Sequence, residues 1–370
     1  MKKITYIYSK NRKYNYVNNS IQAKEFYYGL TRFDTNEFEI DIIEFEINES
    51  IFSRLLYYFD RVMNKFISLP FYTSKLVSFK NLKKLFKTDE LFLVNESVGC
   101  SALPLLIFLK LFSKVNVSIF VMGLYSKHVR YKKFERVHIY TIKALIYLVD
   151  NVIFLGKAEM ERAEVIHRKK LKKFKFLPFP VDTDFWSQEE KIKIDERKTI
   201  IFVGNDSKRD YQFLINLATN MQDYNFTFVS SNSSLLNLDL PNVKILKGFW
   251  GGEYLSDLEL KELYSKARLS IIPLKESYQP SGQSVAQQSM SVGVPVLITK
   301  TRGFWNKEDF KDSFNIFFMK DNNIKNWTAK ISTIYSDHTL LKDVTKNAKK
   351  TITNNYDLDS FYNELLNLTR

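Results

Sequence analysis

The sequence predicts an α/β protein of two domains, each a parallel sheet flanked by helices. Three observations predict it. At 370 residues, 45% of them hydrophobic, the chain exceeds the ~250–300 residues at which a single core stops growing. Short runs rich in β-branched and aromatic residues alternate with helical stretches, which is the rhythm of βαβ units. That rhythm lapses once, over the charged stretch Val181–Lys198, and then restarts.

In the first half the strand candidates are "KKITYIYS", "FEIDIIEF", "ELFLVN", "VNVSIFVMG", "NVIFLG" and "KFKFLPFP". Between them lie "SIQAKEFYYGL", read as helical, a long aromatic and basic stretch from Ile51 to Phe86, "SALPLLIFLKLF" and "AEMERAEVI". After the break, "TIIFVGN", "NFTFVSSN", "NVKILKG", "RLSIIPL", "PVLITK" and "NIFFMKD" read as strands. The helices there are "DYQFLINLATNM", "DLELKELYSKA", a segment opening at Gln283, and three more over Ile324–Tyr335, Leu340–Asn354 and Leu358–Leu368. The expected division is therefore a first domain over residues 1–180, a linker over 181–198, a second domain over 199–350, and a terminal helical segment, 351–370, that crosses back to the first. Two open sheets in one chain face each other across a cleft, and ligands of such sheets bind outside the carboxyl ends of the strands.

Composition narrows the function. One cysteine excludes an intramolecular disulfide and a cysteine-based zinc cage, and fits a reducing compartment. The N-terminus is basic but lacks the apolar core of a signal peptide. The longest apolar runs, "ALPLLIFLKLF", split by Lys110, and "ALIYLVDNVIFLG", split by Asp150, fall short of the ~20 residues of a spanning helix. A cytoplasmic protein, soluble or peripheral on the inner face of the membrane, is expected. The formal charge is +14, and all of it sits in the first half: residues 1–180 carry 31 Lys and Arg against 17 Asp and Glu, whereas 181–370 carry 24 of each. The first domain is therefore expected to meet an anionic partner. Its stretches "KHVRYKKFERVH" and "HRKKLKKFKF" interleave cations with aromatic and aliphatic residues. That pattern suits a nucleic acid track with stacking platforms or an anionic lipid surface with aromatics at the interface.

The most informative stretch is "PSGQSVAQQSMSVGVPVLITKTRGFW", Pro280–Trp305. Pro280 bars a helix before it, Ser281 is a good cap, and Gly282 allows close approach to the backbone. The helix begins near Gln283 and stops at Gly293, with Pro295 just beyond. Its polar residues Gln283, Ser284, Gln287, Gln288 and Ser291 carry no charge. A helix N-terminus with no carboxylate in its first turn is suited to a phosphate, because free amides and the helix dipole both favour an anion. Ser284 and Gln288 lie one turn apart on one face, ~5.4 Å along the axis, about the step from a phosphate to a ribose.

This stretch resembles the signature of retaining glycosyltransferases of the B-type, two-Rossmann fold (GT-B), in the family 4 class that uses nucleotide-sugars. "SMSVGVPV" stands where that class has its Ala-Met-Ala-x-Gly-x-Pro-Val, and the likeness runs back through "KGFWGGEYLSDLELKELYSKARLSIIPL", "FVGNDSKRDYQFL" and "FPVDTDFW". It covers about Asn151–Trp305. It implies transfer of a sugar from a nucleotide-sugar to a hydroxyl of a glycan or lipid-linked glycan, in surface polysaccharide or lipopolysaccharide synthesis, and so favours a lipid surface over nucleic acid as the anionic partner of the first domain. The donor would be held by Gly204, Asn205, Gly248, Phe249, Ser281, Gly282, Gln283, Ser284 and Gln288, with Arg209 and Lys208 on the diphosphate. Arg209 takes the place of the family's phosphate-binding lysine. The sequence departs from the class at two points: Gln288 replaces the glutamate that binds ribose, and the place of the sugar-binding glutamate falls on Pro280 or Ser281. The loop before the helix is about three residues longer than usual, so Glu276 is a candidate to fold back as that carboxylate. No cofactor is implied and no metal, since basic residues and the helix dipole take the metal's part; the pair Asp182 and Asp184 in the linker is not read as a metal site. His128, after the strand "VSIFVMG", is a candidate to orient a hydroxyl. The rivals are a nucleotide-sugar epimerase on the same scaffold and a degenerate, non-catalytic binding protein.

Overall fold

The computed structural model describes all residues except 169–170, 188–192, 195, 249–253 and 370. The chain divides into two units. The first comprises Met1–Ile21, Tyr27–Pro178 and Tyr362–Arg370; the second comprises Gln22–Phe26 and Phe179–Phe361.

In the first unit the chain runs β1 (Lys2–Tyr8), α1 (Arg12–Val17), β2 (Phe38–Glu44), α2 (Ile51–Ile67), α3 (Phe79–Leu85), β3 (Glu90–Leu93), α4 (Glu96–Phe112), β4 (Asn116–Val121), α5 (Glu135–Leu148), β5 (Asn151–Phe154), α6 (Lys157–His167) and β6 (Phe174–Phe176). These strands form one sheet in the order β2-β1-β3-β4-β5-β6, with every pair parallel. Parallel strands are covered on both faces, so they read as continuous apolar runs. β3 is buried at all four positions, and the rings of Tyr6 and Phe92, from neighbouring strands, stack at 4.6 Å.

One segment differs from the sequence reading, and the helix α5 is absent from it. "SIQAKEFYYGL" forms no α-helix, only short 3-10 turns at Glu25–Tyr27 and Leu30–Arg32. The amides of Ala23 and Lys24, which a helix would need, donate to the carboxylates of Asp257 and Asp182 at 3.2 and 3.1 Å. The apolar run around Asp150 is a helix and a strand joined there, α5 and β5. Asp150 marks the joint because its carboxylate accepts from the Val117 amide at 3.0 Å and the Lys110 ammonium at 3.2 Å.

The second unit runs α7 (Thr183–Trp186), β7 (Thr199–Val203), α8 (Tyr211–Asn220), β8 (Asn225–Val229), α9 (Ser233–Leu236), β9 (Val243–Leu246), α10 (Asp257–Lys266), β10 (Ala267–Ile272), α11 (Gln283–Val292), β11 (Val296–Thr299), β12 (Phe317–Met319), α12 (Ile324–Ser336), α13 (His338–Asn355) and the start of α14 (Leu358–Thr369). Its sheet has the order β12-β11-β10-β7-β8-β9, again parallel throughout. Alternate residues of β7 serve opposite faces, as the two-residue strand repeat demands: Ile201 and Val203 join the core beneath α11 and α13, and Ile200 and Phe202 join the one beneath α8 and α12. The stretch read as a linker belongs to this packing at its start. The Val181 amide donates to the Tyr356 carbonyl at 2.8 Å, and Val181 and Trp186 are wholly buried. No helix among the described residues is long and apolar enough to cross a membrane.

Candidate functional site in the second unit

The strand order fixes where a ligand can sit. The chain enters the second sheet at β7, works outward through β8 and β9, then returns to place β10 on the other side of β7. The loops after β7 and β10 therefore diverge and leave a crevice, the switch point at which open α/β sheets bind ligands. Both loops carry the residues singled out in the sequence.

The loop after β7 is held by its own side chains. Asn205 donates from Nδ2 to the Gly248 carbonyl at 2.8 Å, and its Oδ1 accepts from the Ser231 amide at 2.5 Å and the Ser230 hydroxyl at 3.1 Å. Asp206 accepts the Lys208 amide at 2.8 Å, an Asx turn that sets up Lys208 and Arg209. The loop is tied to the one after β10, since the Lys275 amide donates to the Lys208 carbonyl at 2.8 Å and the Asp210 amide to the Pro273 carbonyl at 3.0 Å.

Arg209 is the centre of the arrangement. It is 3% exposed, with Nε 3.3 Å from an Asp206 carboxylate oxygen, and its Nη1 has no hydrogen-bond partner among the described residues. Two glycines make room for it. A Cβ on Gly204 would lie 2.4 Å from the Arg209 Nε, and one on Gly282 would lie 2.9 Å from Nη1 and 2.8 Å from a methyl of Ile272. Gly282 also has φ of 84°, which side chains with a Cβ rarely adopt. The guanidinium thus passes between the β7 loop and the start of α11, next to the first amides of that helix. α11 has no side-chain cap and no acidic residue in its first turn, so its leading amides lack internal acceptors and attract an anion. Ser281 Oγ and Gln283 Nε2 are buried there without partners among the described residues. We expect Gly282→Ala to displace Arg209 and to weaken nucleoside diphosphate binding by about tenfold or more, at a strain cost of ~1–2 kcal/mol; calorimetric titration of the variant checks this.

A cavity beside this cradle is lined by Gly204, Asn205, Arg209, Gly248, Ser284 and Gln288, with Phe26 and Asp257. The structure therefore brings together most of the expected donor residues. Lys208 is half-buried and does not line it. Phe249 lies outside the described residues. Glu276 does not fold back: its Oε1 accepts from the Arg302 amide at 3.0 Å and the Arg302 Nε at 3.3 Å, and the residue is absent from the cavity wall. An arginine within reach holds the carboxylate in the loop. Asp182 caps α7, accepting the Phe185 amide at 3.2 Å. His128 belongs to the first unit, where it is exposed beside a separate cavity of about 470 Å³ shared with Lys127, Glu135, His138 and Arg162.

One residue escaped the sequence reading. Glu25, from the short segment Gln22–Phe26 that packs with the second unit, is completely buried. Its Oε1 accepts from Gln288 Nε2 at 2.8 Å and from Trp186 Nε1 at 2.9 Å. Its Oε2 has no partner among the described residues. Burial pushes the carboxyl up to about 7, with the bond from Gln288 acting in the opposite direction. The glutamine that stands in the cavity wall is thus oriented by a carboxylate 263 positions earlier in the chain.

Two parallel sheets, one in the Rossmann strand order and the other led by β1 at its own switch point, define the GT-B fold. Residues 184–351 match the family model described as glycosyl transferases group 1, so the second unit carries that family's pattern. Among solved structures, HepE of Anabaena in complex with UDP-glucose is similar over 99% of both chains, with a TM-score of 0.70 at 12% identity. Sucrose-phosphate synthase of Thermosynechococcus elongatus matches over 100% of this chain and 98% of its own, with a TM-score of 0.70 at 13% identity. A variant of S. aureus TarM, in complex with fondaparinux, alpha-GlcNAc-glycerol and UDP, matches over 79% of this chain and 58% of its own, with a TM-score of 0.59 at 16% identity. At these identities the likeness is one of fold. No curated protein matches the chain in sequence.

Proposed function

We propose that this protein is a glycosyltransferase that moves a sugar from a nucleotide-sugar to a hydroxyl acceptor. The observation that carries the reading is the buried Arg209, whose Nη1, without a partner among the described residues, sits with the uncapped start of α11 at the switch point of the sheet. A diphosphate leaving group gains negative charge as the glycosidic bond breaks, and a fixed guanidinium with prepositioned amides stabilises that charge without reorganisation. The family match of residues 184–351 supports transfer to a glycosyl acceptor.

Gln288, held by Glu25, is assigned to the ribose side of the donor, and Lys208 to the outer edge of the diphosphate. The reaction proceeds with retention, the departing phosphate accepting the acceptor's proton, and needs no divalent metal. The acceptor is a glycan or lipid-linked glycan bound by the basic first unit, at the inner face of the membrane, in surface polysaccharide synthesis. Because two of the similar structures were solved with UDP or UDP-glucose, uridine nucleotide-sugars head the donor series to be tested. The test is release of nucleoside diphosphate from a panel of nucleotide-sugars, with and without EDTA. Release from one donor, undiminished by EDTA, is expected. Release abolished by EDTA would refute the metal-independent mechanism, and no release or binding with any donor would favour the non-catalytic rival.

A further inference from the structure

The first unit carries a helix whose amphipathic sides are reversed. α2 is fixed to the body by polar groups. Asp60 accepts from the amides of Thr73 and Ser74, both at 2.9 Å, and from the Ser74 hydroxyl at 2.8 Å. The Ser53 hydroxyl donates to the Ser74 carbonyl at 2.8 Å. The Asn64 amide both donates to and accepts from the backbone of Phe71, at 2.9 and 2.6 Å. At about 100° per residue, the line opposite Ser53 and Asp60 is occupied by Ile51, Leu55, Tyr58 and Val62. Their exposures are 79, 65, 64 and 54%. An ordinary surface helix turns such a line inward, so here an apolar ridge faces outward from a polar seat.

Cations border the ridge. Arg54, Arg61 and Lys65 run along one flank, and the sole carboxylate of the helix, Asp60, is buried on the inner side. At the C-terminal end of α2, Phe66 packs on Phe134 at 4.9 Å and on Tyr131 at 5.9 Å. The Arg130 amide donates to Ser68 at 3.1 Å. These contacts bring the exposed cations Arg130, Lys132, Lys133 and Arg136 against the end of the ridge. An apolar line bordered by cations, on a helix held flat by its opposite face, is the pattern of a helix lying in a membrane interface, with aliphatic and aromatic side chains in the acyl boundary and cations at the headgroups.

We propose that α2 docks the protein onto an anionic lipid bilayer, inserting Ile51, Leu55, Tyr58 and Val62. The charge around the ridge selects this occupant over a second copy of the chain, whose identical cations would meet like charge across a two-fold interface. The inference deepens the reading of a membrane-borne acceptor, and its test needs neither donor nor acceptor, so it fails or stands independently of transfer. Flotation with phosphatidylglycerol-containing and pure phosphatidylcholine vesicles is compared for the wild type and for the triple variant Ile51→Ser/Leu55→Ser/Val62→Ser. These side chains are 79, 65 and 54% exposed, so the variant is expected to fold, checked by an unchanged thermal midpoint and near-UV circular dichroism. The wild type is expected to float with the anionic vesicles, less so at high salt, and the triple variant to lose at least about tenfold in partition. Equal partition of the two proteins, or no flotation of the wild type with either vesicle, would overturn the proposal. So would a wild-type dimer in solution that the triple variant abolishes, since the ridge would then be a protein interface.

Discussion

Arg209→Ala is expected to lower kcat/KM for the nucleotide-sugar by about 10²–10³-fold while leaving the second unit folded. The reason lies in how the side chain is held. It is buried with one carboxylate beside its Nε, yet Nη1 is unpartnered among the described residues. A buried charge incompletely paired costs stability, so removing it from the ligand-free protein should cost little or even stabilise. An arginine kept at that expense between two glycines, where an added Cβ would press on its side chain, is placed for a ligand. Arg209→Lys should recover part of the loss, because it restores charge without the planar fork. Steady-state kinetics beside urea unfolding check both halves. A large loss of stability in Arg209→Ala would mean that the guanidinium is structural.

Glu25→Gln is expected to stabilise the second unit above neutral pH and to change little near pH 5. The native carboxyl titrates at about 7 against 4.5 for the ordinary group, so between these values the native state binds a proton that the unfolded chain has released. Stability then falls as pH rises from about 4.5 to about 7 and levels off above. The full effect is on the order of 3 kcal/mol. The glutamine keeps the oxygen that accepts from Gln288 and Trp186 and removes the ionisation. Glu25→Ala should instead destabilise at every pH, because it strands those two buried donors. Tryptophan fluorescence isolates the effect, since Trp186, Trp250, Trp305 and Trp327 all lie in the sequence of the second unit. The other buried carboxyls raised by burial, Glu159, to about 8, and Glu90, belong to the first unit and would not move that signal. A fluorescence midpoint with the same pH dependence in wild type and Glu25→Gln would contradict the assignment.

Much of the architecture was legible because parallel strands covered on both faces announce themselves: all twelve strand runs named from the sequence overlap a strand of one of the two sheets. α11 was legible for local reasons, a proline before it, Gly282 at its start and Gly293 at its stop. Arg209 could be placed because loop and helix lie within a few residues of β7. Glu25 could not. Its partner Gln288 is 263 residues away, and nothing in "QAKEF" distinguishes a buried glutamate from a solvated one. Glu276 failed for the opposite reason: the sequence offered a carboxylate at a suitable place, and Arg302, in a later loop, took it. The outward ridge of α2 was hidden by its own periodicity, since the same pattern on an ordinary helix faces the core.

On this reading the second unit binds a nucleoside diphosphate through Arg209 and the start of α11. Calorimetric titration of the purified protein with the nucleoside diphosphates and their parent nucleosides, repeated with Arg209→Ala, tests it most directly. One diphosphate is expected to bind, its nucleoside at least about tenfold more weakly, and Arg209→Ala to remove that advantage. Binding of nucleoside and diphosphate with equal affinity, or a diphosphate affinity unchanged in Arg209→Ala, would contradict it.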